Sequence, residues 1–265
     1  MADEVTVADP TQDASAPKIS KGAVAFLDIL GFKGMWQSTH PANLTAQINL
    51  ISNMVAKVQK NVIKEMSTKL DIEANPDQLN FNLLSDTFII TVENEDLSLA
   101  LFFVVQATQD LILHFALFDD VKPPNLPPAR PLFLRGAIST GWFYRKNNMY
   151  IGEAIDDAAE WFNQPDFVGA ILTPRTGYFY RKLLNDPPKN PNRLLIKYTT
   201  PTKKGKFDLY CVDWINRYIA LYPHKKFDLK DLYSKFIQNG NISPGVVSKY
   251  QNTDEFNKYC LERKT

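Results

Sequence analysis

The apolar positions of this chain recur with two different periods. Residues 22–30 read Gly-Ala-Val-Ala-Phe-Leu-Asp-Ile-Leu and end at Gly31, an almost unbroken apolar run that predicts a buried strand. Ile48, Ile51, Val55 and Val58 then recur three or four residues apart, which predicts a long amphipathic helix with Asn43 or Thr45 as its cap. Residues 81–84 and 87–92 are strand-like runs joined at Ser85 and Asp86, the pattern of a hairpin with an acidic residue at its tip. A helix is expected from Leu97 to Leu117, then a Pro-rich loop over 121–130 and a strand over 132–140. A turn at Gly141 is expected to start a short ribbon holding Tyr144 and Tyr150, and Gly152 to open a helix reaching about Asn163.

Further on, the pattern predicts a strand at 167–172, a helix at 176–184 and strands at 194–198 and 207–212. Helices follow from Trp214, broken at Pro223 and at Asn239-Gly240-Asn241. This order predicts an α+β fold, a mixed and largely antiparallel sheet with helices packed on one face. Residues 1–20 are polar, with Pro10 and Pro17, and read as a flexible tail. Residues 21–213 are expected to form one domain and residues 214–265 a helical extension. The most apolar stretch, 97–118, is interrupted by Gln106, Gln109, Asp110 and His114, so it reads as a buried helix and not a membrane span.

Composition narrows the chemistry. The 265 residues are 45% hydrophobic and 22% charged, enough for a normal core. A formal net charge of +1 excludes the broad basic field of a stable nucleic-acid binder, while leaving room for a compact anion held by a few local cations. Cys211 and Cys260 are too few for a disulfide framework, and His40, His114 and His224 are scattered. The expected setting is a reducing cytoplasm, with no secretory signal.

Two carboxylates stand out. Asp28 interrupts an apolar strand, and burying an ionised carboxylate without a partner is costly. Strand alternation turns it away from the face used by Leu27 and Ile29. Asp86 occupies the hairpin tip, where turn chemistry alone can account for an Asp; a cap or turn role is the plain alternative for Asp28 as well. If residues 22–30 pair beside the hairpin, both carboxylates meet at one end of the sheet. They would repel there unless a divalent cation lay between them, and magnesium suits few carboxylates completed by water and phosphate.

These segments carry a resemblance. Ala25-Phe26-Leu27-Asp28-Ile29-Leu30-Gly31-Phe32 resembles the first metal-binding motif of class III adenylate and guanylate cyclases. Leu84-Ser85-Asp86-Thr87-Phe88 resembles the second, with Ser85 in place of a glycine. The stretches 134–141 and 150–159 are similar to two later motifs of that family, in the same order. The resemblance spans about residues 22–213. It implies that Asp28, Asp86 and the carbonyl of Ile29 hold two divalent cations, Mg²⁺ or Mn²⁺. It also implies that Arg135 and Lys204 reach the triphosphate. For Arg135 the alternative is a strand-end arginine bonded to backbone carbonyls, and for Lys204 a solvated charge run. The implied enzyme is a homodimer with shared sites, acting on a nucleoside triphosphate, with no membrane.

Departures from the family bear on the substrate. A purine-reading lysine is replaced by Asn82, and a second base-reading position is Met149. Asp156 stands where the family has a transition-state asparagine, and Glu160 where it has an arginine. Arg130, Arg145, Arg175 and Lys197 are the cations available to replace that arginine. The resemblance is greatest to the pyrimidine cyclases of Pycsar antiphage systems. It implies a uridylate or cytidylate cyclase, with UTP favoured over CTP, and a separate effector that binds the cyclic nucleotide. A purine cyclase and a catalytically inert nucleotide-binding module are the alternatives.

Overall fold

The computed structural model describes residues 19–30, 41–70, 78–117, 132–146, 149–183, 194–224 and 244–263. The strands are β1 (Ile19–Leu30), β2 (Leu79–Leu84), β3 (Thr87–Glu93), β4 (Phe133–Lys146), β5 (Met149–Ile151), β6 (Gly169–Leu172), β7 (Leu195–Thr202) and β8 (Gly205–Val212). They form one sheet in the order β2-β3-β1-β4-β6-β8-β7, with β5 paired to the far end of β4. Among the described residues only β4 and β6 run parallel; the other pairs are antiparallel. The expected α+β class with a mixed, largely antiparallel sheet is what the chain adopts.

The helices are α1 (Pro41–Leu70), α2 (Leu97–Leu117), α3 (Glu153–Trp161), α4 (Pro174–Leu183), α5 (Trp214–Leu221) and α6 (Pro244–Glu262). Alternation along β1 divides the sheet into two faces. Ala23, Ala25, Leu27 and Ile29 join the main core, with α1 and α2. Val24 and Phe26 point the other way, into a smaller cluster with Ala154, Ile155 and Ala158 of α3. Helices therefore cover both faces, where the sequence pattern led to one. The doubly apolar β1 is the physical reason: its second face also needs a cover. Helix α2, long and apolar enough to span a membrane, is 83% buried across its most apolar window. Trp214 and Phe256, from α5 and α6, lie in the main core too.

Three local expectations change. Helix α1 begins at Pro41, so Asn43 and Thr45 lie inside it; a proline suits the first turn, which needs no N–H there. Its buried stripe runs through Leu50, Ile51, Met54 and Val58, while Ile48 is 48% exposed. Strand β4 continues through Gly141 without a turn, because β1 pairs with it from Ile19↔Tyr144 to Leu30↔Phe133 and keeps the backbone extended. The loop expected at 121–130 and the break at 239–241 lie outside the described residues.

Candidate active site

Asp28 lies near the end of β1, between Thr87 of β3 and Arg135 of β4. It shares the face of Val24 and Phe26, four and two residues beyond them, past the cover given by α3. Asp86 occupies the two-residue turn between β2 and β3. The Ile29 N–H donates to the Asp86 carbonyl oxygen at 2.9 Å, which ties the turn to the end of β1. Ser85, the other turn residue, takes φ 59, the left-handed region that glycine occupies without strain. That explains why a glycine suits this position in the motif.

Arg135 makes a fork on Asp28. Its Nε and Nη2 donate to Asp28 Oδ2 at 3.0 and 2.9 Å, and Nη1 donates to the Pro165 carbonyl at 3.4 Å. Both side chains are largely covered, 10% exposed for Arg135 and 16% for Asp28. Burial pushes the Asp28 carboxyl up from its ordinary value. The hydrogen bond and charge of Arg135 pull it down, the charge of Asp86 raises it and Lys203 lowers it, with the net shift upward. A second positive charge would relieve that cost.

The donor set fits a hard divalent cation. Two carboxylates and the nearby Ile29 carbonyl are oxygen ligands, and water and phosphate complete such a shell for magnesium. The fork closes on Oδ2 of Asp28, so Oδ1 lies outside it. Among the described residues no cluster of three or more His, Cys, Asp or Glu forms a metal cage of protein alone. A bound metal supplies charge neutralisation at the phosphates and lowers the pKa of an attacking hydroxyl.

The other sequence-selected residues divide. Asn82 Nδ2 donates to the Tyr150 hydroxyl at 2.9 Å, which brings Asn82 beside β5, where Met149 is 55% exposed. Asp156 and Glu160 both sit on the exposed face of α3. The neighbouring Asp157 turns inward and accepts from Ser139 Oγ and Thr173 Oγ1, each at 2.6 Å. Lys204 is exposed in the β7–β8 turn, its N–H on Thr202 Oγ1. Lys203, one residue earlier, is the turn lysine whose charge acts on Asp28. Of the cations offered in place of the missing arginine, Arg145 pairs with Glu93, Arg175 with Glu153 and Lys197 with Asp208; Arg130 lies outside the described residues.

Sequence reasoning missed Lys203, Asp166 and Lys249. Lys203 had a signal, the run Lys203-Lys204-Gly205-Lys206, from which the neighbour was chosen. Lys249 had none: α6 brings it to Asp166, with Lys249 Nζ 3.9 Å from Asp166 Oδ1.

No family model and no curated protein matches the chain. Solved structures do. A bacterial light-regulated adenylyl cyclase aligns over 85% of this chain and 59% of its own, with TM-score 0.52 and 10% identity. The dimeric guanylyl cyclase domain of the RhoGC fusion protein from the aquatic fungus Blastocladiella emersonii aligns over 74% of this chain and 96% of its own, with TM-score 0.50 and 12% identity. At such identities the likeness is one of fold. The chain therefore has the fold of class III nucleotidyl cyclase domains.

Proposed function

We propose that the protein is a nucleotidyl cyclase that converts a pyrimidine nucleoside triphosphate, UTP in preference to CTP, into its 3′,5′-cyclic monophosphate and pyrophosphate. The observation that carries this reading is the meeting of Asp28 and Asp86 at one end of the sheet, on a fold shared with cyclases. The 3′-oxygen forms a bond to the α-phosphorus as the bond to pyrophosphate breaks. Such a reaction needs positioning and charge neutralisation, not a covalent nucleophile on the protein. Asp28, Asp86 and the Ile29 carbonyl would hold the two divalent cations, and Arg135 and Lys204 would supply positive charge at the triphosphate. Arg135, bonded to Asp28, would lie beside a metal held there and could share its charge with the phosphates.

The pyrimidine reading rests on Asn82. A lysine there would donate only, whereas the Asn82 amide both donates and accepts. Its bond to Tyr150 makes a neutral polar pair beside the exposed Met149. In a head-to-tail homodimer, Asn82, Met149 and Asp156 face the Asp28 and Asp86 of the second copy, and both sites are shared. On its resemblance to Pycsar cyclases, we read the product as an antiphage signal for a separate cyclic-nucleotide-binding effector.

A second reading has one observation behind it. Glu160 stands on the exposed face of α3, where a cyclase would carry an arginine for the pentavalent phosphate. That favours an inert nucleotide-binding module. Incubation with ATP, GTP, CTP and UTP plus Mg²⁺ or Mn²⁺, with products resolved by mass, separates the readings. A cyclic pyrimidine nucleotide, absent from Asp28→Ala and Asp86→Ala, is expected. A cyclic purine would overturn the substrate assignment, and nucleotide binding without any product would favour the inert module.

A further inference from the structure

Residues 164–168 are a junction of three elements. Arg135 of β4 donates to the Pro165 carbonyl. The β7–β8 turn is bound through Lys203 N–H to the Gln164 carbonyl and Asp166 N–H to the Pro201 carbonyl, both at 3.0 Å. Helix α6 docks on the far side. Asn252 Nδ2 donates to the Asp166 carbonyl at 2.8 Å and to its Oδ2 at 3.2 Å, and Ser248 Oγ donates to Oδ2 at 3.2 Å. Val168 N–H donates to Thr253 Oγ1 at 2.9 Å. These contacts fix the register of α6, and Lys249 falls on the face that meets Asp166.

The result is that three cations, Arg135, Lys203 and Lys249, gather around residues 164–166, close to Asp28 and Asp166. Lys249 is 17% exposed, with its Nζ 3.9 Å from Asp166 Oδ1, one residue from the Pro165 carbonyl that Arg135 reaches. Burial and the charges of Arg135 and Lys203 act against the Lys249 ammonium, while Asp166 and Asp28 favour it. A polyanion placed among the three cations would relieve their mutual repulsion.

We propose that Lys249, together with Lys203, binds the terminal phosphoryl groups of the nucleoside triphosphate, so that α6 is part of the polyphosphate site. The proposal rests on the cyclase reading for the identity of the ligand, but its test does not require turnover. Binding of inorganic tripolyphosphate with Mg²⁺ is measured by calorimetry for wild type, K249Q, K249R and K258Q, with a thermal melt of each. Lys258 lies on the same helix, paired with Asp254. Loss of a charged hydrogen bond weakens K249Q binding about tenfold or more. K249R retains most of the affinity, K258Q matches wild type, and all four melt alike.

A K249Q protein that binds tripolyphosphate as wild type does would overturn the proposal. So would weakening that appears equally in K249R and follows a lowered melting point, since Lys249 would then be a packing residue. Wild type that binds no tripolyphosphate overturns it as well. If K249Q alone loses binding while no triphosphate is cyclised by wild type, the anion site stands and the cyclase reading falls. If wild type cyclises a triphosphate and K249Q does so with unchanged KM, the cyclase reading stands and the role of Lys249 falls.

Discussion

Two covered arginines in this molecule meet carboxylates in opposite ways. Arg217 of α5 donates Nε to Asp110 Oδ1 at 2.7 Å and Nη2 to Asp110 Oδ2 at 3.2 Å, while Nη1 and Nη2 reach the two Glu65 oxygens at 3.0 and 2.8 Å. Burial opposes the Arg217 charge, but the bonds and charges of Asp110 and Glu65 outweigh it, and its pKa rises. Arg135 has one carboxylate oxygen and one long carbonyl contact, and the charge of Asp86 lies near its partner. The first cluster has spent its hydrogen-bonding capacity on joining α1, α2 and α5. The second holds excess charge that a cation or a phosphate can relieve. On the proposed function, saturation goes with the structural cluster and incompleteness with the site that takes a ligand.

The largest effect tests the incomplete site. Asp28→Ala or Asp86→Ala is expected to lower cyclisation by at least about a thousandfold, roughly 4 kcal/mol in barrier, with the fold retained in circular dichroism. Arg217→Ala should do the reverse. It leaves Asp110, only 2% exposed, as an uncompensated buried charge and costs about 3–5 kcal/mol of stability. Urea unfolding measures the loss, and Mg²⁺ affinity of the remaining folded fraction should match wild type. If Arg217→Ala abolished metal binding while Asp28→Ala unfolded the chain, the two clusters would have exchanged roles.

Metal addition comes next. Saturating Mg²⁺ or Mn²⁺, at a hundred times its Kd, should stabilise wild type by about 2.7 kcal/mol and leave Asp28→Asn unmoved in a thermal melt. The metal-free proteins should differ the other way. The Asp28 pKa is raised above 3.8 in the fold, so the stability it contributes is full below that value. It is lost as pH rises through the raised pKa. Asp28→Asn does not ionise and escapes that loss. It should melt above metal-free wild type at neutral pH, and the gap should close toward acid. An Asp28→Asn melt below wild type at neutral pH would show that the Arg135 pair outweighs the burial cost.

Both halves of this contrast were legible to different depths. The lone Asp28 in the run Phe26-Leu27-Asp28-Ile29 and Asp86 at a hairpin tip are local signals, because strand alternation and turn position fix where each side chain goes. The second cover on the sheet was missed because Val24 and Phe26 are apolar like Ala23 and Leu27, so β1 shows no polar face to read. Lys249 was invisible for another reason. It lies 221 residues after Asp28 by number (249 − 28), and only the docking of α6 on Asp166 relates the two. Lys203 and Lys204 are neighbours in a turn, where sequence alone does not say which one faces the site.

A smaller effect sharpens the hairpin tip. Ser85 holds φ 59, so Ser85→Gly should relieve backbone strain of about 1 kcal/mol, partly offset by greater unfolded-state entropy. A small rise in the urea midpoint with an unchanged slope is the expected result. A fall would show that the serine side chain contributes more than its backbone costs.

The smallest expected stability change carries information about specificity. Tyr150→Phe deletes the acceptor for Asn82 Nδ2 and retains the ring. The pair is only partly buried, so water can replace the lost hydroxyl, and the cost should be near 0.5 kcal/mol. The same substitution removes one bond that orients the Asn82 amide. If that amide reads a pyrimidine, the ratio of kcat/KM between UTP and CTP should fall toward one, while the melting point barely moves. A hydrogen bond that merely joins β5 to the hairpin would show the opposite balance, a measurable loss of stability with the ratio intact. Asn82→Lys then completes the test: it restores the residue type that purine cyclases carry and should lower pyrimidine turnover more than Tyr150→Phe does.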